Sequence, residues 1–267
     1  MTTNEKLIKN IAIVLALTLA ISIILIIFSS IIKITSFFEE PNKEKTTNLL
    51  TITENFPKSF ELDIENSNIS IIEGDIFQIE TNNKNISYKE NYNKITIKEK
   101  KSPINSTRNT LIITIPKKHI FEELEFETGA GKIEIENILS NFLALELGAG
   151  KTTINNMVIL KEIEIDGGVG NIEIKNSQLN NLKLEMGVGD LDINTILTGK
   201  NKIEMGIGNI NLNLLDQKNN YSIKTNEGIG NITINNKKIS DFNNYGTGNN
   251  LVIIDGGIGN INISFQE

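Results

Sequence analysis

The sequence predicts an all-β protein: a β-solenoid-like repeat ectodomain of about 19-residue units, each a strand, a glycine corner and a second strand, preceded by a single N-terminal transmembrane helix. Three observations lead there. A Gly-x-Gly phrase with Ala, Val or Ile in the middle recurs seven times between residues 129 and 259, apolar and polar residues alternate on both sides of each copy, and residues 11–32 form one long apolar run.

The second glycines are Gly131, Gly150, Gly170, Gly189, Gly208, Gly230 and Gly259, spaced 19, 20, 19, 19, 22 and 29 residues apart. A near-constant period of this size marks stacked units, none of which buries its apolar face alone. Leu182, Leu184 and Met186 lead into Val188, and the alternation then resumes one residue out of phase at Leu191 and Ile193. Such a slip turns the core face to water unless the strand bends or bulges at the second glycine, where positive φ costs glycine nothing. The middle residue is Ala, Val or Ile in every copy and in phase with the preceding strand, which predicts that it points inward. Asn-rich pairs at 155–156, 176–177, 194–195 and 235–236 are expected to turn the chain between units. An antiparallel meander with a hairpin at each phrase satisfies the same alternation, but an inward middle residue favours the solenoid. The residues after the second glycines (Lys132, Lys151, Asn171, Asp190, Asn209, Asn231, Asn260) would then stack as a polar ladder, although Asn also follows glycine in ordinary turns, the reading preferred here.

Along the chain, residues 1–10 are a short cytoplasmic N-terminus and 11–34 the span, long enough for a bilayer that needs about 20 apolar residues. No Ala-x-Ala cleavage signal follows, so the segment reads as an uncleaved signal anchor. Lys6 and Lys9 precede it, placing the N-terminus in the cytoplasm and the rest outside the cell membrane. Residues 35–57, polar and bounded by Pro41 and Pro57, read as a linker. Residues 58–128 alternate without glycine phrases and form an irregular N-terminal β region able to cap the first regular coil, with residues 102–110 an exposed loop; residues 129–267 are the repeat.

The chain has no cysteine, which removes disulfides and thiolate metal sites, and its net charge of −7 argues against binding nucleic acid through phosphates. The Gly-Ala-Gly-Lys-Thr stretch at 148–152 resembles the tail of a phosphate-binding loop, but Leu145 stands where that loop needs glycine, so no nucleotide is expected. The Gly-Gly-x-Gly-Asn stretches at 167–171 and 256–260 resemble a calcium β-roll, yet Ile172 and Ile261 occupy the aspartate position. Asp166, Asp190, Asp192 and Asp255 are too scattered between copies to give the six to eight oxygens calcium takes. His119, the one histidine, reads as a solvated loop residue, and Glu134 with Glu136 and Glu162 with Glu164 as outward strand faces. No catalytic, cofactor-binding or metal residue is assigned.

The N-terminal span, the ladders such as Ile-Glu-Ile-Asp-Gly-Gly-Val-Gly-Asn-Ile-Glu-Ile at 163–174, and the closing Tyr245-Gly246-Thr247-Gly248 together resemble a bacterial adhesin-type domain of unknown function, the toast-rack domain, over roughly residues 60–265. The resemblance implies a non-enzymatic β-solenoid-like extracytoplasmic domain of envelope proteins and carries no catalytic residues. Two roles are expected from it: an adhesin or surface module binding a protein or wall polymer, or a regulatory or sensory component of an envelope-stress response. About eight coils at roughly 4.8 Å spacing reach only about 40 Å, which suits a role near the membrane. An envelope hydrolase is the least supported alternative.

Overall fold

The computed structural model describes residues 46–100, 109–239 and 244–266; the span predicted at 11–34, the N-terminus before it and most of the loop at 102–110 lie outside them. Among the described residues no helix is long and apolar enough to cross a membrane. They form strands, apart from turns and one 3-10 turn at Lys218–Asn220.

Before the glycine phrases run β1 (Thr47–Ile52), β2 (Ser59–Ile64), β3 (Ser67–Gly74), β4 (Phe77–Thr81), β5 (Ile86–Asn91), β6 (Lys94–Glu99) and β7 (Asn109–Pro116). Then come four long bent strands, β8 (Phe121–Glu136), β9 (Leu139–Asn155), β10 (Val158–Asn180) and β11 (Leu182–Thr198), followed by β12 (Lys200–Ile207) and β13 (Ile210–Leu214). The chain ends with β14 (Tyr221–Ile229), β15 (Ile232–Ile234), β16 (Lys237–Ile239), β17 (Asn244–Tyr245), β18 (Asn250–Ile258) and β19 (Ile261–Phe265).

β8 to β11 pair in parallel and in register, so that Gly131, Gly150, Gly170 and Gly189 lie side by side. Each long strand is one rung of a stack. β12 and β13 form the next rung, split at the corner and paired with the two halves of β11. The rung that follows in space is the last in sequence: β18 and β19 pair in parallel with β12 and β13 on one side and with β14 and β15 on the other. The C-terminal segment is thus inserted into the stack. This accounts for the late break in spacing, because the chain after β13 must pass over one rung to build β14 and then return.

The opposite end repeats the device. β2 and β3 pair with the two halves of β8, and β6 and β7 lie beyond them, so the first rung is also sandwiched. Antiparallel strands close both ends: β5 on β6, β4 on β7 and β1 on β4 at one, β16 on β15 and β17 on β14 at the other. β1 falls within residues 35–57, so part of the stretch read as linker is an edge strand of the domain. Edge strands are templates for unwanted pairing, and short antiparallel caps limit that.

The core is a set of aliphatic columns. Ile97, Leu62, Phe126, Leu145, Ile165, Leu184, Ile203 and Ile254 succeed one another in register before the corner, and Ile113, Ile71, Ile135, Ile154, Ile174, Ile193, Leu212, Ile263 and Ile234 after it, all buried. Each such side chain contributes about 1.5–3 kcal/mol on burial. A third segment completes the longer rungs, where the sequence suggested only a turn: Ser177–Asn180 pairs with Thr195–Thr198 and buries Leu179 on Leu197. Asn176 and Asn181, both at positive φ, bend the chain into and out of it, which short polar Asn does at little cost. Replacing Ile172, 3% exposed, by Asp should abolish cooperative thermal unfolding or lower the melting temperature by well over 10 °C, because the carboxylate has no partner there; an unchanged melting curve would refute the face assignment.

The first rung lacks glycine for a physical reason. Glu65, Asn66 and Ser67 occupy the corner beside Gly129, Ala130 and Gly131, but the neighbour on their outer side is the Glu99 carboxylate. It accepts the backbone N–H groups of Glu65 and Asn66, both at 3.0 Å, and the Asn83 amide at 2.7 Å. A side-chain cap replaces a close backbone carbonyl, so a Cβ fits.

Candidate functional site

The corners set the most distinctive surface of the molecule. Gly150, Gly170, Gly189, Gly208, Gly230 and Gly259 adopt φ between +141° and +159°, whereas Gly131 does not enter that region. At Gly189 a Cβ would lie 1.5 Å from the carbonyl oxygen of Gly170, and at Gly208 1.4 Å from that of Gly189. The first glycines are confined in the same way, Gly168 by Gly148 and Gly257 by Gly206. Both glycines therefore serve close rung-to-rung approach, and together they leave columns of backbone without side chains.

The middle residues do not point inward. Ala130 is exposed, Ala149, Val169 and Val188 are half-buried, and Ile207, Ile258 and Ile229 on three successive rungs are 43, 51 and 68% exposed. The inward prediction extended the preceding alternation one residue too far: the first glycine is already turned along the stack, and the middle side chain emerges on the outer side. The result is an exposed aliphatic ladder that grows bulkier toward the rungs nearest the C-terminal cap.

On the other side of the bare glycine column stands a column of acids. Glu127, Glu146, Asp166, Glu185, Glu204 and Asp255 occupy one register position on six successive rungs. Asp166 and Asp255, read from sequence as scattered, belong to this column; Asp190 and Asp192 lie in others. The signal was present as an acid two residues before the first glycine in six of the seven phrases. At the start of the column Asp63 is paired with Lys98 at 3.3 Å, and Glu204 is paired with Lys202 at 2.7 Å, but Glu127, Glu146, Asp166, Glu185 and Asp255 make no ion pair among the described residues. Hydrogen bonding to Glu204, with weaker attraction to Asp255 and Glu185, holds the Lys202 ammonium above its ordinary pKa.

Acids and glycines together line an open groove of about 970 Å³ whose floor is Gly148, Gly168, Gly187, Gly206 and Gly257. Neighbouring faces are compensated by contrast. Lys94 bridges Glu61 at 2.8 Å and Glu125 at 3.2 Å, and Lys183 lies 3.7 Å from both Glu162 and Glu164. The Lys94 hydrogen bond holds the Glu61 carboxyl below the usual range, as Lys175 does for Glu173. Like charges directly opposite one another in a sheet are destabilising. Exchanging Glu146, Asp166 and Glu185 for their amides should therefore raise the melting temperature at low salt, with the gain shrinking as salt screens the column; a fall at low salt would show that the carboxylates hold the corner together.

Beyond the aliphatic ladder, four of the residues after the second glycines, Asp190, Asn209, Asn260 and Asn231, form a hydrogen-bonded ladder rather than independent turn residues. The Asn209 amide donates to Asp190 at 3.0 Å, the Asn260 amide to Asn209 at 3.3 Å, and the Asn231 backbone N–H to the Asn260 side chain at 3.2 Å. Asn211 on Asp192, Asn262 on Asn211 and Thr233 on Asn262 make a second ladder. These side chains bond each other and stiffen the face.

The other sequence candidates lie elsewhere. Gly148 to Lys151 is the corner of the β9 rung, with Lys151 3.6 Å from Glu173. His119 is not a solvated loop residue: its ring packs edge-on against Phe56 and Phe121, and Nε2 lies 2.7 Å from the Pro57 carbonyl oxygen, pinning the entry of the chain to β8. Glu134 pairs with Lys132 at 2.6 Å on an outer face. Among the described residues no group of three or more His, Cys, Asp or Glu is arranged to hold a metal ion, the acidic column included.

No curated protein matches the chain. Solved structures similar to it include a candidate adhesin from Bacteroides fragilis, 13% identical with a TM-score of 0.52 over 84% of this chain and 98% of that one. Another is a candidate cell adhesion protein from Clostridium sporogenes, 18% identical with a TM-score of 0.36 over 84% of this chain and all of that one. The Bacteroides structure shares the fold. The model of the family described as Toastrack DUF4097 matches residues 57–245, a stretch running from the entry of the first rung to the C-terminal cap, and the chain belongs to that family.

Proposed function

We propose that the protein is a non-catalytic binding module of the bacterial cell envelope, an adhesin-type β-solenoid that meets a protein or wall-polymer partner through the face around its glycine corners. The exposed aliphatic ladder carries the reading. Contiguous apolar surface on an otherwise polar protein marks an interaction site, and Ile207, Ile258 and Ile229 stand exposed on three adjacent rungs. The rigid, hydrogen-bonded stack beneath keeps them in fixed order, as repeat scaffolds do for extended partners. The apolar run at 11–34 supports anchorage in the cell membrane as a single pass with this domain outside.

A benzophenone amino acid placed at Ile258, and in a second strain at Gln178 on the third face, tests the assignment in cells of the source bacterium. Irradiation should give a cross-linked adduct from position 258 and none from 178. Adducts from 178 alone, or from neither position, would refute the corner face as the docking surface.

A further inference from the structure

We infer that the corner groove receives an extended polypeptide segment in which basic and aliphatic residues alternate. The inference rests on the corner face being the docking surface, and it adds the chemistry of the partner. Two flanks define that chemistry. One is a row of carboxylates, Glu127 to Glu185, without ion-pair partners among the described residues; the other, beyond the glycine floor, is the aliphatic ladder, half-buried at Val169 and Val188 and exposed at Ile207, Ile258 and Ile229. Asp166 and Val169 are three residues apart, so the flanks stand at most about 10 Å from each other across the bare Gly168 position.

An extended chain lying along the stack sends successive side chains to opposite sides. One set then reaches the carboxylates and the other the ladder, while its backbone settles over glycines that present no side chain. Along the ladder flank the backbone is itself occupied by rung-to-rung bonds, such as Gly208 N–H to the Ile258 carbonyl at 2.8 Å and Gly259 N–H to the Ile229 carbonyl at 2.8 Å. Recognition is therefore by side chains, and charge complementarity selects the sign: an acidic segment would bring more negative charge to a flank already in repulsion, on a chain of net charge −7. From Glu127 to Asp255 the column spans five steps of about 4.8 Å, or about 24 Å, which an extended segment of seven or eight residues covers at about 3.3 Å each. A neutral wall glycan would satisfy neither the carboxylates nor the bare isoleucines.

The probe is a fluorescently labelled, end-capped (Lys-Val)4 peptide, titrated by anisotropy against the full-length chain in zwitterionic detergent, with empty micelles as the blank. Saturable binding is expected, weakening as salt rises. The E146Q/D166N/E185Q variant should bind at least about tenfold more weakly, and so should I207S/I258S, while (Glu-Val)4 should not bind. Melting curves of the variants confirm that they fold, and the carboxylate variant is expected to be the more stable protein. Equal binding by wild type and folded variants, equal binding of (Glu-Val)4, or displacement by wall glycan fragments but not by unlabelled (Lys-Val)4 would overturn the inference. No binding of (Lys-Val)4 alongside a persistent adduct at position 258 would overturn the partner chemistry alone; loss of both would overturn the docking face as well.

Discussion

Gly189→Val will leave the protein unable to fold cooperatively, whereas Val188→Thr next to it will melt near the wild type. The glycine sits at φ +145°, and a Cβ there would fall 1.5 Å from the Gly170 carbonyl oxygen and 2.7 Å from the Met186 methyl carbon. A non-glycine residue held in a sparsely populated backbone region costs about 1–3 kcal/mol before any overlap is counted. The overlap is with backbone in a central rung, so relief requires the rungs to separate, with loss of hydrogen bonds on both sides. The expected destabilisation exceeds about 4 kcal/mol, a large part of the 5–15 kcal/mol that holds a typical domain. Gly187→Ala offers a graded comparison, since its Cβ would meet the Gly168 oxygen at 2.7 Å without a left-handed φ; it should cost less. Circular dichroism melts of the three variants decide the matter, and a wild-type melt for Gly189→Val would refute the rung-to-rung role of the corner.

Removing residues 250–267 will do more than shorten the stack. In a solenoid wound strictly in sequence order, deleting the last unit exposes one new end and leaves the rest standing. Here β18 and β19 lie between two other rungs, so their loss opens a gap and strips β14 and β15 of the one parallel neighbour each has among the described residues. Val252, Ile254, Ile261, Ile263 and Phe265 leave the core with them, on the order of 10 kcal/mol of gross apolar burial. The truncated protein should be cleaved by protease throughout residues 215–249 at concentrations that leave the full chain intact, while residues 59–198 stay protected longer. Protection of residues 221–234 in the truncated chain would show that the C-terminal rung is peripheral.

Much of this architecture was legible in the sequence. The 19-residue period and the phase slip at each Gly-x-Gly located the corners, and the alternation of Ile163, Ile165, Ile172 and Ile174 named core residues that are all buried. Four features were not legible, each for a physical reason. The direction of the middle residue depends on which of two glycines turns first, and alternation does not say. The order of the rungs depends on where the termini insert, and only the spacings of 22 and 29 hinted at it. The acidic column is spread over six phrases, five of them 19 or 20 residues apart and the last 51 residues further on, so its members looked like ordinary outward carboxylates until register placed Asp166 beside Glu146 and Glu185. The glycine-free corner at Glu65 to Ser67 escaped for a similar reason, since the group replacing the neighbouring carbonyl, Glu99, comes from over thirty residues away.

Two linked features define the architecture: the middle residues of the glycine phrases face outward, and the C-terminal rung lies between β12 and β14. Both are tested by disulfide trapping in a chain that has no cysteine of its own. Ile207 and Ile258 are direct register partners on adjacent rungs, about 4.8 Å apart and within the Cα separation a disulfide accepts. Ile207 and Ile229, consecutive phrases in sequence, stand two rungs apart and beyond that reach. Mild oxidation of I207C/I258C should produce the intramolecular disulfide, and I207C/I229C should keep two free thiols that react readily with maleimide. A disulfide in I207C/I229C and none in I207C/I258C would contradict the account.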